Sequence, residues 1–226
     1  MTGILLVDKP REWSSFDVVN YIRKNVAAHE GKKPKNIKVG HTGTLDPLAT
    51  GLLIVLVGKE YTRRAGELSK QDKTYEVIMK LGETSTTGDE EGVKTKMSNH
   101  QPHEAEVVAA LQQFTGNLMQ TPPVFSAMKV NGQRSYKLAR EGKAVELEPR
   151  PVIVYTNQLV QYDYPFVTFT SQVSSGTYIR SLVEDLGKEL GTGAYMTDLR
   201  RTQIGNFSIQ EAALPSAERL LDRLIA

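Results

Sequence analysis

Gly40-His41-Thr42-Gly43-Thr44-Leu45-Asp46-Pro47-Leu48-Ala49-Thr50-Gly51 runs without a break into the apolar stretch Leu52-Leu53-Ile54-Val55-Leu56-Val57. Three glycines, a proline and three threonines in the first twelve residues predict a tightly turned loop. The six apolar residues that follow predict a strand buried on both faces. Asp46 is the one acid in the loop. Its place before Pro47 disfavours the helical backbone and can turn the carboxylate away from the loop. The alternative is an Asx turn, in which nearby backbone N–H groups satisfy the carboxylate.

Outward from this stretch, strand and helix signals alternate without a regular βαβ rhythm, so the pattern predicts an α+β fold. Gly3–Val7 reads as a short buried strand closed by Asp8-Lys9-Pro10. Ser14 or Ser15 can cap a helix with Phe16, Val19, Ile22 and Val26 at helical spacing. Thr74–Leu81 alternates, with Tyr75, Val77, Met79 and Leu81 on one face. A helix follows Pro102, with Val107, Val108, Leu111 and Phe114 aligned and Gly116 as its stop. Residues 151–173 carry two strand-like runs joined at Asp163–Pro165, and Tyr178–Leu190 is a strongly amphipathic helix. A last helix is expected from Ser216, burying Leu220, Leu221 and Leu224. No repeat or linker is evident, so one domain over residues 1–226 is expected.

Composition removes several function classes. There is no cysteine, which excludes disulfides and thiolate chemistry. The N-terminal apolar run is too short for a signal sequence or a membrane span, which predicts a cytoplasmic protein without a membrane partner. No glycine-rich loop ends in Gly-Lys-Ser/Thr, and no Gly-x-Gly-x-x-Gly follows a strand. Of the four histidines only His100 and His103 are close, without a third ligand, so no metal is expected. The net charge of +2 hides a segregation. Residues 1–40 hold eight basic against four acidic residues, and residues 129–150 six against three, while residues 83–106 hold two against six. Such a distribution suits a protein with one face toward a polyanion, or else solvated lysine-rich loops.

Six ordered blocks over about residues 3–202 resemble the TruB-type tRNA pseudouridine synthases. They are Leu6-Val7-Asp8-Lys9-Pro10 with Trp13-Ser14-Ser15; the loop from Gly40 to Gly51; Lys73-Thr74-Tyr75; Pro122–Lys129 with Tyr136–Gly142; Ser175–Arg180; and Leu199-Arg200-Arg201-Thr202. The resemblance implies a mixed, largely antiparallel sheet flanked by helices, with residues 121–150 as a thumb-like insertion that grips RNA. It implies conversion of uridine to pseudouridine at position 55 in the T-loop of tRNA, with the base flipped out. Asp46 is then the essential carboxylate, Tyr75 stacks on the target base, and Arg180 pairs with Asp46. Tyr178 and Leu199 help form the base pocket, His41 contacts the flipped-out nucleotides, and Lys9 supports the loop or a phosphate. No cofactor, metal or obligate protein partner is implied, and a monomer acting on the T-arm is expected. Relatives often carry a C-terminal PUA domain, and none is evident here. The segment from Ala28 to Lys38 is longer than in typical members and adds lysines beside the loop.

Two other classes remain on the residues alone. One is a non-catalytic RNA-binding or tRNA-folding protein on the same scaffold, for which Asp46, Tyr75 and Arg180 would have no chemical use. The other is a glycosidase or nucleosidase, which ordinarily needs a carboxylate pair, and Asp46 has no second acid in its loop.

Overall fold

The computed structural model of the protein describes residues 1–126, 128–130, 132–143 and 146–225, without the side chains of Lys129, Val130, Tyr136 and Arg140. Parts of the thumb-like segment singled out above, Lys129 and Tyr136 among them, therefore have side chains outside the described residues.

The chain forms two compact units, Met1–Tyr75 with Leu199–Ala226, and Glu76–Asp198. The first begins with β1 (Gly3–Lys9), α1 (Ser15–His29), a 3-10 turn at Pro34–Asn36, β2 (Val39–His41) and β3 (Thr50–Val57). It continues through α2 (Lys59–Arg63) and α3 (Ala65–Ser69) into β4 (Lys73–Leu81), which runs on into the second unit. There follow β5 (Glu83–Ser85), β6 (Lys94–Lys96), α4 (Glu104–Gln113) and β7 (Gly116–Gln120). Between β7 and the long β10 (Arg150–Asp163) lie the small hairpin β8 (Lys129–Val130) and β9 (Gln133–Arg134), then α5 (Ser135–Arg140). β11 (Phe166–Val173) and α6 (Ile179–Glu189) lead to β12 (Ala194–Ile204), which returns the chain to the first unit and to β13 (Phe207–Ser208).

In the first unit the strand order is β1-β3-β12-β4, and in the second β12-β4-β11-β10-β7. β1 pairs antiparallel with β3 from Gly3↔Val57 to Lys9↔Gly51. β12 meets β3 in parallel at Arg200↔Thr50 and Arg201↔Gly51, while β2 pairs antiparallel with the far end of β3 at Val55–Val57. The sheet is thus mixed and largely antiparallel, as expected.

The apolar run in β3 is buried on both faces, and this sets the core of the first unit. Leu53, Val55 and Val57 pack with Leu5 and Val7 against Val18, Val19, Ile22 and Val26 of α1. Leu52, Ile54 and Leu56 pack with Ile4, Leu6, Leu68 and Ile204 on the opposite face. α1 opens with a capping box in which the Ser14 side chain accepts from Asp17 N and the Asp17 carboxylate accepts from Ser14 N. Phe16 was expected on the buried stripe, yet it is 60% exposed, because the stripe begins at Ser15 and Val18.

Three expectations are corrected. The helix after Pro102 ends at Gln113 with Phe114 as its cap, and Gly116 is instead the first residue of a strand that the sequence did not reveal. Tyr178 caps α6 rather than starting it. The helix expected from Ser216 is only a 3-10 turn at Leu220–Arg223. Arg219 there is left-handed (φ 57°), and Leu224 is extended so that Ile225 can pair with Ile4. The two reciprocal backbone bonds, each 2.8 Å, tie the chain end to β1 and replace further helical bonds.

Candidate active site

The loop bearing Asp46 is pinned at several points within the first unit. Ser15, buried at the start of α1, both accepts from Leu45 N (2.8 Å) and donates to Leu45 O (3.0 Å) through its hydroxyl. Pro47 O accepts from Glu12 N at 2.9 Å and from Lys9 Nζ at 3.4 Å. Asp46 O accepts from Ala49 N at 3.1 Å. The residues on both sides of Asp46 are therefore fixed by groups far from them in sequence, while Asp46 itself is only half-buried. Gly51 ends the loop with φ +100°, and a Cβ there would stand 2.3 Å from Arg201 O, so the close strand crossing demands glycine.

Beneath the loop lie three buried cations held by carbonyls. Lys9 is 0% exposed and donates to Pro10 O (3.0 Å) and Trp13 O (2.6 Å) as well as to Pro47 O. Arg201, 1% exposed, donates from Nε to Leu52 O at 2.8 Å and from Nη2 to Gly43 O at 3.1 Å. Its two acceptors bracket Asp46 in the chain, so one guanidinium spans the ends of the loop. Lys73 donates to Ser69 O at 2.9 Å and to Gln71 O. Arg200 alternates outward and makes a two-pronged pair with Asp8, at 3.1 and 2.8 Å.

Burial lowers the Lys9 ammonium to about 8, opposed by the Asp46 carboxylate and reinforced by Arg201. Lys73 is likewise lowered to about 8 by burial and then by Arg201. His41 accepts from Gly43 N at Nδ1 (3.3 Å), and burial, followed by the charge of Arg201, holds its pKa below the usual value. Between about pH 8 and 10.5 the unfolded chain holds more protons on Lys9 and Lys73 than the folded one. Folding is therefore expected to become more favourable as pH rises through that window. Urea unfolding midpoints at about pH 7.5 and pH 9.5 test this sign, with a shallower rise expected for Lys9→Met. A midpoint that falls over that interval would contradict the burial of these two ammonium groups.

In the second unit Arg180 is 8% exposed although it lies on a helix whose polar side would ordinarily face water. Its Nη1 donates to Thr87 O (3.1 Å) and stands 3.5 Å from Asp89 Oδ2, and Nη2 donates to Phe125 O (2.9 Å). Asp89 is itself buried and also accepts from Thr87 Oγ1 and Glu91 N. Tyr178 is held by the buried Gln120, whose amide accepts from Tyr178 N (2.8 Å) and donates to Tyr178 O (3.0 Å). Ser181 Oγ donates to Thr121 O at 2.9 Å, adding a second tie between α6 and the end of β7.

Of the sequence-predicted residues, the first unit brings Lys9, at the end of β1, and His41, at the end of β2, against the loop that carries Asp46, and buries Tyr75 and Leu199 on its strands. Arg180 and Tyr178 sit together at the start of α6 in the second unit. Residues that sequence reasoning missed are the anchors: Arg201 and Lys73 in the first unit, Gln120 and Asp89 in the second. The signals available were the Arg200-Arg201 pair and Lys73 within two of the motif blocks, and neither says which cation is buried. Among the described residues no cluster of three or more His, Cys, Asp or Glu could hold a metal ion. No helix among them is long and apolar enough to cross a membrane.

Comparison with known proteins identifies this largely antiparallel mixed sheet, with the loop at the head of an interior strand, as a pseudouridine synthase fold. The chain is similar in structure to a Cbf5–Nop10–Gar1 complex, with TM-score 0.71 and 29% identity, covering 94% of this chain and 51% of that one. It is also similar to an H/ACA RNP bound to a substrate RNA containing 2′-deoxyuridine, with TM-score 0.69 and 25% identity over 98% of this chain and 58% of that one. Within that class the chain belongs to the TruB family: the model of the TruB family pseudouridylate synthase N-terminal domain matches residues 31–179. The tRNA pseudouridylate synthase B C-terminal domain matches residues 180–226. Among curated relatives, tRNA pseudouridine synthase B of Pasteurella multocida is 43% identical over 208 residues, 92% of this chain and 65% of that protein. The protein of the same name from Chlamydia abortus is 41% identical, over 92% of this chain and 85% of that protein. The chain thus spans just under two thirds of the length of the Pasteurella relative.

Proposed function

We propose that the protein isomerises uridine to pseudouridine at position 55 in the T-loop of tRNA, with Asp46 as the catalytic carboxylate. The observation that carries this is the fixation of the Asp46 loop through Leu45, Pro47 and Gly43 by Ser15, Glu12, Lys9 and Arg201, with the aspartate side chain left half-buried. Such anchoring places a charged group in advance, at no reorganisation cost during reaction. The isomerisation breaks the bond from C1′ to N1, turns the base and joins C1′ to C5. N1 gains a proton and C5 loses one, so no electrons are exchanged with an external group. A carboxylate beside C1′ stabilises the positive charge that develops there.

In this reading the Tyr75 ring stacks on the flipped base, and Tyr178 and Leu199 line its pocket. His41, neutral at pH 7 because its pKa is lowered, meets the displaced nucleotides without adding charge. Arg180 carries the positive charge assigned to the Asp46 carboxylate. The reading also carries a monomer working in the cytoplasm on the T-arm of tRNA. Incubating T-arm RNA with the protein and mapping pseudouridine tests it: an isomerised base supports it, while unchanged RNA or a released base opposes it.

Residues 121–150, between β7 and β10, are the RNA-gripping thumb of this reading. Replacing Lys129, Arg134 and Lys137 with Ala is expected to weaken RNA binding. It should also lower the slope of log affinity against log salt by roughly one unit or slightly less per lost phosphate contact. Parallel salt lines for wild type and variant would mean these residues touch no phosphate.

A further inference from the structure

Between Glu30 and Glu60 the chain contains a single acid, Asp46, against five lysines, Lys32, Lys33, Lys35, Lys38 and Lys59. All five are exposed. Lys32 is neutralised by Glu30 at 2.7 Å. Lys33, Lys35, Lys38 and Lys59 form no ion pair among the described residues. Three like charges are thus kept unpaired on the short stretch of residues 33–38, with a fourth at Lys59, an arrangement that repels itself unless a polyanion covers it.

These lysines do not sit on a loose loop. Lys32 N donates to Ala27 O (2.9 Å), Asn36 N to Lys33 O (2.9 Å) and Ile37 N to Pro34 O (3.0 Å), closing a turn onto α1. Ile37 and Val39 are buried in the core beneath, leaving Lys38 outward between them. Arg23 Nη2 reaches Val39 O at 3.3 Å, fixing β2 to α1. Gly58 N donates to Lys38 O at 2.7 Å, which places Lys59, the next residue, beside Lys38 at the start of α2. The cations therefore form one ordered rim, so ligand binding loses little backbone entropy. β2 runs from this rim to His41, and at strand rise Lys38 lies roughly 10 Å along the chain from His41.

We infer that Lys33, Lys35, Lys38 and Lys59 form a phosphate-contacting ridge, separate from the thumb, that holds the RNA backbone next to the nucleotides handled at His41. This rests on the proposed RNA-modifying function and adds to it a second point of grip. RNA is favoured over an anionic membrane because no large apolar side chain is exposed on residues 24–40 or 57–63 to anchor in a bilayer interface.

The test is the salt dependence of binding to a T-arm hairpin RNA, for wild type and for a variant carrying Lys33→Gln, Lys35→Gln, Lys38→Gln and Lys59→Gln. Circular dichroism and a thermal melt confirm that the variant folds. Over about 50–200 mM salt the variant is expected to bind at least tenfold more weakly at the low end, with the slope reduced by about two to four units. Equal slopes would overturn the ridge, as would lysine-dependent binding to phosphatidylserine vesicles that is tighter than binding to RNA. The reading beneath it is judged separately: lysine-dependent RNA binding by a wild-type protein that forms no pseudouridine would support the ridge and remove the isomerase.

Discussion

Asp46→Asn is expected to abolish pseudouridine formation while leaving the fold and most RNA binding intact. The anchors of the loop described above act on its backbone. Ser15 holds the backbone of Leu45, Glu12 and Lys9 hold Pro47 O, Arg201 holds Gly43 O, and Asp46 contributes its own carbonyl to Ala49 N. An amide of nearly the same shape keeps all of these but carries no charge with which to stabilise C1′. A second consequence has a definite sign. The Asp46 carboxylate raises the Lys9 ammonium against the depression caused by burial, so its removal should lower Lys9 further below about 8. Turnover is read by mapping pseudouridine in T-arm RNA, and the Lys9 shift by NMR titration of the lysine side chain. Turnover within about tenfold of wild type would remove Asp46 from the chemistry, since loss of a catalytic group ordinarily costs more.

Much of the first unit was legible because its signals are local. The glycine- and threonine-rich loop, the doubly buried β3 and the alternation along β4, which runs on into the second unit, each follow from spacing within a few residues. The capping box at Ser14 likewise lies within four residues of sequence. β12 was not legible, although it has eleven residues and joins both units. Its Asp198-Leu199-Arg200-Arg201-Thr202 segment breaks any apolar alternation, and Arg201 can be buried only because distant carbonyls at Gly43 and Leu52 accept its protons. The C-terminal turn misled for the same reason: Leu220, Leu221 and Leu224 have helical spacing, but Ile225 finds a better backbone partner in Ile4. Arg180 illustrates the opposite case. Local pattern placed it on a solvated helix face, whereas carbonyls of Thr87 and Phe125 and the carboxylate of Asp89 draw it inside.

The dependence of the site on Arg201 leads to the last expected result. Arg201→Met should lower stability by about 3 kcal/mol, because it withdraws charged donors from Gly43 O and Leu52 O in a buried setting. Turnover of the folded fraction should fall about a hundredfold, since a loop free to shift by about an ångström misplaces Asp46 relative to C1′. Loss of the positive charge should also let His41 and Lys73 rise toward their ordinary values, because Arg201 is the second cause of depression in each after burial. Arg201→Lys separates the two roles. It keeps a charge, so the His41 titration should stay low, but a single ammonium cannot reproduce the fork that spans both carbonyls. The Lys variant should therefore lose turnover with little change at His41, while the Met variant changes both. NMR titration of His41 together with turnover under conditions where each variant is folded decides the matter. If Arg201→Met works within about threefold of wild type and His41 titrates unchanged, the bridge from Gly43 to Leu52 does not position the catalytic loop.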